Sequence, residues 1–135
     1  MTGTVSLLLK YLSLENAELL RVGNVSAGKD ESRRIEILSY IKSSYRTASL
    51  GELSEKLYLT VPYLSKITRD LFGKSFKELV VDERMEKAYT AFRTTGLSIG
   101  DVIRSVGYEN ESYFHREFKK RYGKTPLAIR KKVDN

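Results

Sequence analysis

A single unit is written twice in this chain, about fifty residues apart. The clearer copy runs from Ser98 to Pro126; the other runs from Ser49 through Leu57, Tyr63-Leu64-Ser65-Lys66 and Gly73-Lys74-Ser75. A hydroxyl followed three residues later by an acid opens helices, because the hydroxyl accepts an otherwise unpaired N–H of the first turn. That pair occurs at Ser49/Glu52, Ser75/Glu78 and Ser98/Asp101. In the first copy Leu50, Leu53 and Leu57 predict one apolar stripe, Thr60 a cap, and Val61, Leu64, Ile67 and Leu71 the inner face of a second helix. In the second copy Ile99, Val102 and Val106 repeat the stripe, Gly107 permits a tight turn, and Asn110 caps a helix buried through Phe114, Phe118 and Tyr122. Gly73 and Gly123 end the two second helices at equivalent positions. Each copy is therefore a helix-turn-helix.

Between the copies, Ser75 to about Thr94 contains neither proline nor glycine and carries Leu79, Val80, Met85, Ala88, Tyr89 and Phe92 at helical spacing. Twenty helical residues span about 30 Å, close to the roughly 34 Å turn of duplex DNA. Gly96 is expected to stop this helix in a left-handed conformation. Ahead of the first copy, a cap at Asp30 to Ser32 and an apolar stripe of Ile35, Leu38, Ile41 and Tyr45 predict a helix over about 32 to 45. The expected fold is all-α: two helix-turn-helix subdomains joined by a long connecting helix, about seven helices, plus a short N-terminal helical extension. The corresponding segments are an extension or linker at 1–30, a first subdomain at 31–74, a connecting helix at 75–96 and a second subdomain at 97–135.

Composition narrows the function classes. The chain has 135 residues, 41% of them hydrophobic, enough for one domain or two small ones sharing a core. It has no cysteine, which excludes disulfides and thiolate zinc sites. The apolar stretch from Val5 to Leu14 is short and broken by Lys10, which argues against a signal peptide or membrane span and for a cytoplasmic protein. His115 is the lone histidine, and the neighbouring sequence offers it no base, acid or metal partner. Neither catalysis, a metal nor a cofactor is expected.

Charge points to a partner. The net charge is +7; Lys10, Arg21 and Lys29 balance Glu15, Glu18 and Asp30, so the whole surplus lies in residues 31–135. A basic surplus confined to the duplicated part suits a polyanion. At 100° per residue, Pro62, Ser65, Lys66 and Arg69 fall opposite Leu64, and Ser112, His115, Arg116 and Lys119 fall opposite Phe114. Hydroxyls and cations of this kind read base edges in a major groove and pair with phosphates. A solvated face explains either helix alone; two matching faces on a duplicated scaffold favour DNA.

At this point the second copy resembles the signature of the AraC/XylS transcription regulators. The matching residues are Gly107-Tyr108, Ser112-Tyr113-Phe114, Arg116, Phe118-Lys119-Lys120, Gly123, Thr125-Pro126 and Arg130, and the likeness extends over about residues 32 to 132. The resemblance implies two subdomains binding successive major grooves of double-stranded DNA, promoter regulation, and contact with RNA polymerase. Its base-contacting positions fall on Pro62, Ser65 and Lys66 in the first recognition helix and on Glu111, Ser112, His115 and Arg116 in the second. Phosphate contacts are expected from Arg69, Lys119, Tyr63 and Tyr113. Thr68 departs from the family by standing where an aromatic residue is common, and Lys66 by replacing an arginine, which costs it the planar fork.

Several residues carry two explanations at this stage. Glu111 can accept from cytosine N4 or simply favour the positive end of its helix. Tyr63 and Tyr113 can touch phosphates or be partly buried. Arg84, Lys87 and Arg93 can approach the DNA backbone or form an exposed charged face balanced by Asp82, Glu83 and Glu86. In residues 1–30, Val5, Leu8, Leu9, Leu12, Leu19, Leu20 and Val22 suggest one or two short amphipathic helices, and Gly23 to Lys29 a flexible linker. Members of the family it resembles commonly carry an effector-sensing, dimerising domain ahead of the DNA-binding part, so the chain is expected to be the C-terminal part of a longer regulator, with any effector acting through a domain absent here; the competing reading is a natural short regulator with an N-terminal extension. The alternative function is a helical protein-interaction module that has lost DNA binding.

Overall fold

The computed structural model describes the backbone of residues 25–134 and the side chains of 28–131; the short helices expected within residues 1 to 22 lie outside the described residues. Seven α-helices and no strand occur among the described residues: α1 Val25–Ser44, α2 Leu50–Leu57, α3 Val61–Phe72, α4 Phe76–Thr94, α5 Ile99–Ser105, α6 Glu111–Tyr122 and α7 Pro126–Asp134. The chain divides into Met1–Ile37 and Leu38–Asn135, and α1 runs across the division.

α1 differs from the sequence expectation at both levels. It begins at Val25, so residues 25 to 29 are helix rather than linker, and Asp30 to Ser32 lie inside it rather than capping it. Gly28 alone costs a helix only about 1 kcal/mol relative to alanine, and the i,i+3 pairs Arg34–Glu31 at 3.2 Å and Arg33–Glu36 at 3.3 Å support the turns that follow. The buried positions are Ile37, Tyr40 and Ile41, while Ile35, Leu38 and Tyr45 are half-buried. Both sets have helical spacing, and only packing chooses between them.

The expected caps form. Ser49, Ser75 and Ser98 each accept the N–H three residues on, from Glu52, Glu78 and Asp101, at 3.1, 3.1 and 3.0 Å. Thr60 and Asn110 do the same for α3 and α6 through Tyr63 and Tyr113. Gly73 and Gly123 close those two helices at φ +68° and +72°. Gly96 does not act as foreseen: α4 ends at Thr94, with Thr95 extended at φ −127°. The Thr95 N–H and hydroxyl both donate to Ala91 O, and Arg130 donates to Phe92 O and Thr95 O at 3.3 Å each. With those carbonyls satisfied by a side chain from α7, no left-handed residue is required.

The two helix-turn-helix cores are unequal. The second is aromatic: Phe92, Phe114 and Phe118 lie 5.5 to 6.1 Å apart in a cluster with Met85, Ala88, Val102, Ile103, Val106 and Ile129. The first buries Tyr40, Ile41, Leu53, Leu64, Phe76 and Val80, and at the position matching Phe118 it has Thr68, fully buried, whose hydroxyl donates to Leu64 O at 2.7 Å. Val61, expected on the inner face of α3, is 41% exposed. The Tyr40 hydroxyl donates to Glu52 and accepts from the Ser49 N–H, which ties α1 to the start of α2. Burial of Tyr40 raises its pKa, with the Ser49 backbone bond acting the other way and Glu52 adding to the rise.

Asp82 on α4 joins the end of the first unit to α6, accepting from Lys74 at 2.7 Å and from Arg121. Burial raises its pKa, but the bonds from Lys74 and Arg121 outweigh that and hold the carboxyl below 3.8. A carboxylate depressed in the folded state stabilises it above the unfolded pKa, and that contribution is lost as pH falls through the folded value. Asp82→Asn should therefore cost about 1 kcal/mol near neutrality, since Asp82 is 28% exposed and its partners Lys74 and Arg121 are 50% and 31% exposed, so solvent screens the pairs. In denaturant titrations the gap from wild type should close below pH 3.8.

Candidate nucleic-acid interface

The recognition surfaces follow from how α3 and α6 are seated. On α6, Phe114 and Phe118 point inward, and Glu111, Ser112, His115, Arg116 and Lys119 are exposed. On α3, Leu64 and Thr68 are buried, Pro62, Lys66 and Arg69 are exposed and Ser65 is half-buried. Lys66 lies 3.6 Å from Asp70, an exposed i,i+4 pair that holds it only weakly. Each helix thus offers its polar face outward from a fixed apolar one.

The six residues with two sequence explanations now have surroundings. Glu111 sits 3.7 Å from Arg104, which also pairs with Asp101 at 2.7 Å. Tyr113 is half-buried, its ring 5.6 Å from that of Tyr108, whereas Tyr63 is 51% exposed. Arg84 is engaged within the protein: it donates to Tyr45 O and Arg46 O and lies against Tyr108. Lys87 pairs with Glu83 at 3.7 Å, and Arg93 lies over Tyr89. Arg121, in the basic run at the end of α6, is held by Asp82, whereas Lys119 and Lys120 are exposed.

Tyr58 is the residue that the sequence did not single out. It occupies the turn between α2 and α3 with φ +57°, and its side chain is 95% exposed. Its counterpart by hydrogen bonding is Gly107: Tyr58 N–H donates to Glu55 O and Leu59 N–H to Ser54 O, as Gly107 and Tyr108 donate to Arg104 O and Ile103 O. The second turn has one residue more before its cap. A non-glycine residue in the left-handed region is strained, and the missing glycine at this turn was the available signal.

A helix-turn-helix domain family matches residues 53–132. The chain belongs to the AraC/XylS family. The Msm operon regulatory protein of Streptococcus mutans is 31% identical over 101 residues, which cover 74% of this chain and 36% of that protein. The chain therefore spans little more than a third of that relative's length. The C-terminal domain of the two-component response regulator yesN from Fusobacterium nucleatum is 38% identical, with a TM-score of 0.64 over 70% of this chain and 93% of that one. The DNA-binding domain of the global transcriptional factor AdpA, solved with a target DNA, shares the fold at 16% identity, with a TM-score of 0.64 over 73% of this chain and 88% of that one. This AraC/XylS chain is a helix-turn-helix DNA-binding domain of a transcription regulator, and no described helix is long and apolar enough to cross a membrane.

Proposed function

We propose that α3 and α6 enter successive major grooves of one asymmetric DNA site, with Pro62, Ser65 and Lys66 reading bases in the first groove and Glu111, Ser112, His115 and Arg116 in the second. The observation that carries this is the repetition itself: two capped helices of twelve residues, each with an exposed cationic and hydroxyl face over a buried one. Arg116 has the planar fork for guanine O6 and N7, while Lys66 supplies a single point donor. Glu111, with Arg104 beside it, accepts from cytosine N4. Arg69, Lys119, Tyr63 and Tyr113 contact phosphates; Tyr113, being half-buried, contributes its hydroxyl edge. The domain acts on nucleoid DNA in the cytoplasm, touches RNA polymerase at its promoter, and answers to an effector bound by a domain outside this chain.

The test separates base reading from charge. On a site selected from random oligonucleotides, Arg116→Ala should cost about 1 to 3 kcal/mol and relax preference at one base pair. Lys119→Ala should weaken binding on every sequence alike and lower the salt slope by about 0.9 for the phosphate lost. Equal losses for Arg116→Ala on selected and random DNA would remove it from base reading. A flat salt response of the wild-type domain would favour the interaction module.

A further inference from the structure

One side chain of α4 meets both halves of the Leu38–Asn135 unit. Arg84 Nε donates to Tyr45 O at 2.7 Å and Nη2 to Arg46 O at 3.1 Å. These carbonyls lie just past the end of α1, where a helix leaves acceptors unpaired. The face of the same guanidinium lies over the Tyr108 ring, Cζ to centroid 4.9 Å. Gly107 closes the contact: a Cβ there would sit 2.7 Å from Arg46 O and 3.1 Å from Arg84 Cζ. The chain leaving α1, the connecting helix and the turn of the second unit therefore touch at one point.

Each anchored segment leads into a helix of one of the two helix-turn-helix units. Arg46 is three residues before Ser49, the N-cap of α2, and Tyr108 is two residues before Asn110, the N-cap of α6. We propose that Arg84 is a positioning residue that fixes the angle and separation of the two recognition units, and so sets the spacing of half-sites that the domain accepts. The proposal rests on the two-groove reading above. A planar guanidinium offers two in-plane donors to successive carbonyls and a flat face to an aromatic ring; an ammonium keeps donors for the carbonyls but has neither the fixed fork nor the flat face. Spacing is a sensitive variable, because one added base pair moves a half-site by about 3.4 Å and turns it by about 34°. A rigid pair of helices pays for that mismatch, whereas a loose pair follows it at the cost of ordering on every site.

The first experiment needs no DNA. The chain has no cysteine, so Glu55→Cys with Lys120→Cys, both exposed positions, accept spin labels for pulsed electron resonance in the wild-type, Arg84→Lys and Arg84→Met backgrounds. The wild type should give one narrow distance distribution, Arg84→Met a broad one and Arg84→Lys an intermediate one. Equal widths in all three overturn the proposal. The second experiment measures affinity for the selected site and for versions with one base pair added or removed between the half-sites. The wild type should discriminate against altered spacing by about tenfold or more, and Arg84→Met by about threefold or less, as preorganisation is lost. Thermal unfolding followed by circular dichroism establishes that each variant is folded, and Arg84→Lys replaces Arg84→Met should the latter not fold. A loss equal at all spacings overturns the proposal. A wild type that binds selected and random DNA alike refutes the two-groove reading instead, and the label distances then decide whether Arg84 is the joint.

Discussion

Gly107→Ala will unfold this domain at markedly lower denaturant, with a loss of about 3 kcal/mol or more. Two costs add at this position. The backbone is at φ +107°, a conformation that L-residues rarely adopt. The new methyl would also stand 2.7 Å from the carbonyl oxygen of Arg46, a backbone atom that cannot swing aside as a side-chain end does. Gly73 and Gly123 supply the internal control: both have positive φ, at +68° and +72°, but a Cβ at either meets nothing within 4 Å. Alanine at those positions should cost only about 1 to 2 kcal/mol, the left-handed penalty alone. Urea midpoints for the three variants measure the difference, and equal losses would show that the contact with Arg46 is unimportant.

Phe118→Ala should cost about 3 to 5 kcal/mol, a large part of the 5 to 15 kcal/mol that typically holds a domain together. The ring is fully buried, edge-on to Phe92 at 5.5 Å, stacked on Phe114 at 5.5 Å and tilted against Tyr122 at 4.7 Å. Removing it opens a cavity among stiff rings that cannot collapse into the space. The matching change in the first unit, Thr68→Ala, deletes one methyl and a hydroxyl that bonds only its own helix, and should cost about 1 kcal/mol. Chemical denaturation of the two variants checks the asymmetry. If Thr68→Ala proved as damaging as Phe118→Ala, the two cores would be equivalent despite their different contents.

That asymmetry was partly legible in the residues. Thr68 stood out as standing where the family commonly has an aromatic residue, and the structure shows it buried. The fold class, the helix starts at Ser49, Ser75 and Ser98, and the glycine stops at 73 and 123 were equally legible. Caps depend on a hydrogen bond reaching three residues along the chain, so local sequence contains both partners. The exposed faces of α3 and α6 were readable for a similar reason, since helical periodicity places them once Leu64 and Phe114 are known to be inside.

The misreadings share the opposite cause. Whether α1 starts at Val25 or near residue 32, and which of two helically spaced apolar sets it buries, depends on what packs against it. Gly96 was expected to end α4, but the last carbonyls are taken by Arg130, a residue more than thirty positions away in sequence. Arg84 looked like one more charge on a solvated helix and is instead the group that joins Tyr45, Arg46 and Tyr108. By itself the sequence determined which segments are helical units, how they are capped and which surfaces they turn outward, because these rest on interactions within a few residues. The tertiary structure alone decided how the two units are held to one another, because arginines satisfying distant carbonyls leave no local pattern in the chain.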